Sequence, residues 1–129
     1  TAMPLVRISL LRGKGEAFGR KVGDVVYQAM VDTLNVPPKD KFQVITEHTR
    51  ESLVYDPDYL DIDRGEGFIA IQITLSEGRS VETKKSVYKQ VAESLRSELD
   101  VRPQDVFINL VEVRKENWSF GNGIAQYVA

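Results

Sequence analysis

Hydrophobic residues recur at strand spacing in four short stretches of the chain and at helical spacing in two longer ones. The strand-like stretches are rich in β-branched and aromatic residues and comprise Pro4–Leu11, Lys41–Glu47, Phe68–Leu75 and Val106–Val113. An amphipathic helix is predicted from about Glu16 to about Leu34. A second helix is predicted after Ser80, which is placed to cap it. The element order is therefore strand, helix, strand, written twice.

The two halves match at a constant offset of 65 residues. Matching pairs include Ile8 and Ile73, Leu10 and Leu75, Gly13 and Gly78, Val22 and Val87, Val26 and Val91, Leu34 and Leu99, Val36 and Val101, Pro38 and Pro103, Asp40 and Asp105, and Phe42 and Phe107. Because one β-α-β unit cannot bury its own sheet face, we interpret the pattern as a duplicated unit. We predict an α/β (α+β) fold with one four-stranded mixed sheet and two helices on one face. The apolar residues left on the bare face predict an oligomer.

The chain length of 129 residues favours one domain with its own core. We expect this domain to span 4–129, with repeat 1 at about 4–47, a polar loop at 48–67, repeat 2 at about 68–113 and an aromatic tail at 114–129. Met3 stands before a proline as an initiator methionine would. We therefore interpret Thr1-Ala2 as a cloning remnant and expect the mature chain to begin at Pro4.

Composition excludes several kinds of chemistry. The chain has no cysteine, which excludes disulfides and thiol nucleophiles, and its single histidine, His48, leaves little for a metal cluster. A net charge of −2, without a basic run interleaved with aromatic residues, argues against nucleic acid as a partner. No apolar run approaches the roughly 18 residues of a membrane span. We expect a soluble, cytoplasmic protein with no membrane partner.

A chain beginning at Pro4 carries a secondary amine at the start of a strand. An α-amino group titrates at about 7.7–8.0, so its surroundings can make it a base or a cation near neutral pH. Proline is also tolerated at the first position of a strand for structural reasons alone. This one feature therefore leaves a structural interpretation open beside the functional one.

Two further charged residues are candidates for a site. Asp40 follows a Pro-Pro turn, and its counterpart Asp105 lies at the equivalent place in repeat 2, a symmetry that favours a structural turn role for both. Arg79 lies next to a helix start, where a cation opposes the helix dipole, and this favours a functional role. His48 ends a strand and is interpreted as a hydrogen-bonded strand-end group rather than an acid or base.

Several features occur together in one order: Pro4, the two β-α-β halves, Pro37-Pro38-Lys39-Asp40, Gly78-Arg79-Ser80 and Trp118-Ser119-Phe120-Gly121. In this order and spacing the chain resembles the tautomerase superfamily, and within it the malonate semialdehyde decarboxylase-like group. The similarity runs from Pro4 essentially to the end of the chain. It implies a homotrimer with one active site per subunit near Pro4, and an enzyme that needs no cofactor and no metal.

The resemblance also implies a role for each site residue. Pro4 matches the catalytic amino-terminal proline, and Asp40 matches a carboxylate that assists the proline or activates water. Arg79 matches an arginine that binds the carboxylate of the substrate. Trp118 and Phe120 match apolar pocket residues that exclude water around the reacting group.

One departure from the group affects the substrate. Some of its decarboxylases carry two arginines in the turn after the third strand, whereas here Glu77 precedes Gly78 and only Arg79 remains. We predict an enzyme acting on a small oxo acid, with decarboxylation of malonate semialdehyde or a related hydration as the first hypothesis. Keto–enol tautomerisation of a phenylenolpyruvate-type compound is the alternative, and a non-catalytic trimeric binding protein is the second alternative. Protonated Pro4 suits the first reaction and neutral Pro4 suits tautomerisation.

Overall fold

The structure is a computed structural model that describes residues 4–128. The interpretation of Thr1, Ala2 and Met3 therefore lies outside the described residues. The main elements in chain order are β1 (Leu5–Leu11), α1 (Phe18–Leu34), β2 (Phe42–His48), β3 (Ile69–Ser76), α2 (Val81–Leu99) and β4 (Val106–Val113). The predicted order of strands and helices is confirmed.

The strands form one four-stranded sheet in the order β2-β1-β3-β4. The two outer pairs are parallel and the central pair, β1 and β3, is antiparallel. Leu5 lies opposite both Phe42 and Thr74, so the start of β1 meets the start of β2 and the end of β3. We call this end of the strands the Pro4 end, and the opposite end, where β2 finishes, the His48 end.

Both helices cover the same face of the sheet. Buried apolar residues alternate along the two central strands and include Val6, Ile8, Leu10, Ile69, Ile71, Ile73 and Leu75. These side chains pack in one cluster with apolar residues of α1 and α2. On the other face, Phe42 is 51%, Val44 is 41% and Phe107 is 48% exposed. The prediction of a mixed sheet with helices on one face is confirmed, and its bare face is partly apolar.

The duplication extends to the backbone at the turns. Asn35 and Asp100, which follow the last residues of α1 and α2, both adopt a left-handed conformation with φ of 56°. Gly13 and Gly78 have φ values of 110° and 122°, which side chains rarely tolerate. Ser80 caps α2 as predicted, since its Oγ accepts the Thr83 N–H at 3.1 Å.

The two repeats hold their helices on the edge strands by different contacts. A Cβ atom on Gly19 of α1 would lie 2.8 Å from Ile45 Cγ2, so α1 approaches β2 more closely than a side chain would allow. Lys84 occupies the equivalent position in α2, and its Nζ donates to Glu112 Oε1 on β4 at 2.7 Å. No helix within residues 4–128 is long and apolar enough to cross a membrane.

Candidate active site

A cavity of about 230 Å³ lies at the Pro4 end of the sheet. Its lining residues are Pro4, Leu5, Phe42, Trp118, Ser119 and Phe120. Pro4 itself is buried. The structure thus brings together three of the predicted site residues, Pro4, Trp118 and Phe120, although they are more than a hundred positions apart in the sequence.

The tail supplies the aromatic wall of this cavity. The rings of Trp118 and Phe120 stack with centroids 5.4 Å apart, and Tyr127 packs edge-on against Phe120 at 4.8 Å. Gln126 closes the tail on itself, because its Oε1 accepts the Phe120 N–H at 2.9 Å and its Nε2 donates to Gly121 O at 2.8 Å. The tail is therefore a folded segment of the site.

Ser76 connects the aromatic wall to Arg79. Ser76 is the last residue of β3 and is 3% exposed. Its Oγ accepts a hydrogen bond from Trp118 Nε1 at 3.2 Å, and its carbonyl oxygen accepts one from Arg79 Nη1 at 2.6 Å. The sequence analysis missed Ser76. The available signal was a polar residue at the end of an apolar strand, where the first repeat has Leu11.

Arg79 lies beside the cavity in the turn between β3 and α2. It is partly buried, and the cavity wall formed by the described residues includes neither Arg79 nor Asp40. The pKa of the nearby Glu112 carboxyl is lowered mainly by the hydrogen bond from Lys84, against the effect of burial, with a smaller contribution from Arg79.

Asp40 lies two residues before Phe42 and so at the same end of the sheet. It is 7% exposed, and its backbone N–H donates to Pro37 O at 3.1 Å. Its Oδ1 is buried and has no hydrogen-bond partner among residues 4–128. Burial raises the pKa of this carboxyl above its ordinary value. An unsatisfied buried carboxylate costs stability, and perturbed groups of this kind cluster at functional sites.

Asp105, the counterpart of Asp40, is fully engaged. Its Oδ1 accepts the Gly65 N–H at 2.7 Å, and its Oδ2 lies 3.5 Å from Arg102 Nε. The sequence symmetry favoured a turn role for both aspartates. Asp105 has such a role, because it fixes the connecting loop to the turn before β4, whereas the contacts of Asp40 leave part of its carboxylate free.

The connecting loop repeats the architecture of the tail, which the sequence analysis did not recognise. Leu53 and Tyr55 lie 65 positions before Trp118 and Phe120. They line a cavity of about 260 Å³ at the His48 end, together with Phe107, the counterpart of Phe42. Tyr55 stacks on Phe68 at 4.2 Å, and its hydroxyl donates to Gly65 O at 2.7 Å. The loop is thus partly packed, not simply a solvated connection.

The structure thus combines a duplicated β-α-β fold with a buried proline that lines an apolar cavity. A family model described as "Tautomerase enzyme" matches residues 40–121, and a second model with the same description matches residues 4–61. The chain belongs to the tautomerase family.

Two relatives from Bacillus subtilis (strain 168) are similar over almost the whole chain. The "Probable tautomerase YusQ" is 42% identical over 98% of this chain and 99% of its own length. The "Probable tautomerase YrdN" is 31% identical over 98% of this chain and 97% of its own length.

Solved structures of malonate semialdehyde decarboxylases are also similar. One, inhibited by 3-bromopropiolate, has 35% identity and a TM-score of 0.89, with 96% of this chain and 94% of the other covered. Another, from a study of the wild-type, mutant and inactivated enzyme, has 30% identity and a TM-score of 0.87, with 95% of both chains covered. A fused 4-OT described as a symmetric trimer shares the fold at 18% identity and a TM-score of 0.75, with 93% and 94% coverage. The predicted membership of the superfamily, in the malonate semialdehyde decarboxylase-like group, is confirmed.

Proposed function

We propose that this protein is a cofactor-independent enzyme that uses the amino-terminal amine of Pro4 to decarboxylate malonate semialdehyde or a closely related oxo acid. The observation that carries the proposal is the pairing, at one end of the sheet, of a buried proline facing an apolar cavity with a buried, incompletely hydrogen-bonded Asp40. The similarity to two malonate semialdehyde decarboxylases supports the choice of substrate.

The reaction assigns one task to each group. Arg79 binds the substrate carboxylate through its planar guanidinium. The Pro4 ammonium donates a hydrogen bond to the aldehyde oxygen, the bond to the carboxylate carbon breaks, and its electron pair moves into the enolate of acetaldehyde. Carbon dioxide leaves, the Pro4 ammonium transfers its proton to the enolate carbon to give acetaldehyde, and the neutral amine regains a proton from water. Trp118 and Phe120 keep water away, which strengthens the interaction between the ammonium and the developing enolate oxygen.

Asp40 controls the protonation of the amine in this scheme. A carboxylate near an amine favours its cationic form, whereas the apolar wall and the charge of Arg79 disfavour it. Burial raises the pKa of the Asp40 carboxyl, and Pro4 is also buried at the same end of the sheet. A proton shared between these two groups is a suitable acid for the carbonyl oxygen.

Keto–enol tautomerisation is the second candidate. The description of the family models and the names of the two Bacillus relatives favour it. In this reaction neutral Pro4 removes a proton from the carbon next to a carbonyl and returns it elsewhere. The two reactions have opposite pH dependence, since decarboxylation fails as pH rises through the pKa of Pro4 and tautomerisation fails as pH falls through it.

The deciding experiment measures carbon dioxide release from malonate semialdehyde by protein whose mass confirms that it begins at Pro4. Replacement of Pro4 by Ala should lower the rate by about 10²–10⁴-fold, the usual contribution of a positioned acid or base. A second control retains Met3, which makes the Pro4 nitrogen a non-basic amide and should abolish turnover. Absence of release with an active enol substrate would favour the tautomerase. Absence of all turnover, unchanged by Pro4→Ala, would favour a binding protein.

We further propose that three chains assemble through the bare sheet face. This face exposes Phe42 and Val44 on β2 and Phe107 on β4, and large apolar side chains are costly to leave in water. Sedimentation equilibrium should give three times the chain mass. Val44→Glu, a charge on the exposed face of an edge strand, should shift the protein toward the monomer, whereas Lys89→Glu on the outer surface of α2 should not.

A further inference from the structure

A second concave site lies at the His48 end, where β1 and β2 finish, far from Pro4 at the start of β1. This cleft has a volume of about 350 Å³ and is lined by the turn after β1 and the segment after β2. Arg12, Lys14, His48, Arg50 and Glu66 contribute to its walls. The Arg12 N–H donates to His48 O at 2.9 Å, which joins the turn to the strand end. Two chain segments thus present cationic side chains to one surface.

The charges of this cleft are unbalanced. Arg50 Nη1 lies 3.6 Å from Glu66 Oε1. Arg12 and Lys14, in contrast, form no ion pair with any residue between positions 4 and 128. The His48 ring is oriented by a contact of 2.9 Å between its Nδ1 and Ser52 Oγ. Unpaired cations in a concave site raise the local concentration of small anions.

The cleft occupies the place in repeat 1 that the Arg79 turn occupies in repeat 2. Lys14 lies 65 positions before Arg79, and the glycines that precede them have similar positive φ values. Arg12 is the counterpart of Glu77, so the turn at the His48 end has one cation more than its partner and one anion fewer. A turn that is proposed to bind a carboxylate at one end therefore has a more strongly cationic copy at the other.

The acid–base groups of the Pro4 end have no equivalents here. Ile69 stands where Pro4 stands, and its nitrogen is a peptide amide. Asp105 stands where Asp40 stands, and its carboxylate is occupied by Gly65 and Arg102. We propose that the cleft formed by Arg12, Lys14 and Arg50 is a second, non-catalytic site that binds a small carboxylate anion. The inference rests on the proposed function only in its choice of a carboxylate as the ligand.

Malonate is a suitable probe for both ends of the full chain. In ¹H–¹⁵N NMR titrations, the amides of Gly13 and Thr49 report on the cleft and the Trp118 indole N–H reports on the Pro4 end. The double variant Arg12→Gln, Lys14→Gln should weaken saturable binding at Gly13 and Thr49 by at least about tenfold, as expected for the loss of two charge-assisted contacts. The Trp118 response should stay unchanged. The matched control Lys89→Gln, Arg96→Gln removes the same charge from the outer surface of α2 and should leave both responses intact.

Three results would overturn the inference. The first is a set of shifts at Gly13 and Thr49 that fail to saturate, and the second is an Arg12→Gln, Lys14→Gln variant that binds malonate in the cleft as tightly as the parent protein. The third is a Lys89→Gln, Arg96→Gln control that weakens binding as much as the cleft variant does, which would indicate general electrostatic attraction. If malonate shifts Gly13 and Thr49 of the parent protein but not the Trp118 indole N–H, the result counts against the proposed function and not against the cleft site. The two proposals therefore fail in separate ways.

Discussion

The Pro4 end and the His48 end of the sheet are built from the same unit but satisfy their polar groups differently. Both have a turn with a left-handed glycine, an aromatic-lined cavity and a buried aspartate before an edge strand. At the His48 end Asp105 is bonded to Gly65 and Arg102, whereas Oδ1 of Asp40 has no partner within the described chain. The two copies thus differ in that one aspartate is bonded through both oxygens, whereas the other has an oxygen without a partner within residues 4–128.

The largest expected effect follows from removing the free carboxylate. Under the proposed function, in which Asp40 controls the protonation of Pro4, Asp40→Ala should lower turnover by about 10²–10⁴-fold. The free energy of unfolding should not fall, since Oδ1 makes no bond within residues 4–128 that the substitution would break. Steady-state kinetics and urea unfolding of the same sample check both statements. Full activity in this variant would remove Asp40 from the site.

Substitution of Asp105, the counterpart of Asp40, should lower stability and leave turnover unchanged. Asp105→Ala leaves the Gly65 N–H without its acceptor and should cost about 1.5–3 kcal/mol of stability, the range for a hydrogen bond to a charged group. Turnover per folded molecule should stay close to that of the parent protein. A large fall in kcat with unchanged stability would mean that the two aspartates are not divided in this way.

Ser76→Ala tests a contact found only at the Pro4 end. The substitution removes the acceptor of the Trp118 indole, and a buried hydrogen bond of this kind contributes about 1 kcal/mol. Trp118 should become more mobile, which near-UV circular dichroism would detect. The Arg79 contact uses the backbone carbonyl and should persist, so KM for the oxo acid should change less than kcat. Ser119→Ala, also on the cavity wall, is a matched control.

The smallest effect is the pH dependence of stability. Burial raises the pKa of Asp40 in the folded state, so the folded chain holds this proton more tightly than the unfolded chain does. The free energy of unfolding therefore falls as pH rises from the ordinary aspartate range through the folded pKa. Asp40→Ala removes this contribution, so its stability relative to the parent should increase over the same interval. Urea midpoints at a series of pH values measure the difference, and a difference that is independent of pH would contradict it.

Periodicity and the 65-residue offset were sufficient to predict the elements and their order. The alternation in β1 and β3 and the stops at Pro37 and Pro103 depend on local chemistry, which sequence displays directly. The offset also matched the turn that contains Arg79 with the turn that contains Lys14. Trp118 and Phe120 were placed in the site by resemblance, and the structure puts both on the wall of the cavity that Pro4 also lines.

The features that sequence did not predict depend on contacts between distant segments. Asp40 and Asp105 look alike in the sequence, and the contacts of Asp105 with Gly65 and Arg102 distinguish them. Ser76 acquires its two partners from a turn and a tail that meet only in three dimensions. Leu53 and Trp118 differ in side-chain chemistry, although Tyr55 and Phe120 are both aromatic, so the equivalence of the two segments is clearer in the cavities than in residue identity.

The antiparallel pairing of β1 with β3 determines how many amino-terminal amines one sheet can carry. The first strands of the two repeats, β1 and β3, begin at opposite ends of the sheet. Two separate chains of one repeat each would therefore have an amino-terminal amine at each end. Joining the repeats converts the second amine into the peptide nitrogen of Ile69. Under the proposed chemistry, a joined chain therefore has one reactive centre per sheet where an unjoined pair would have two. The sequence at the other end is then free to diverge toward a different use.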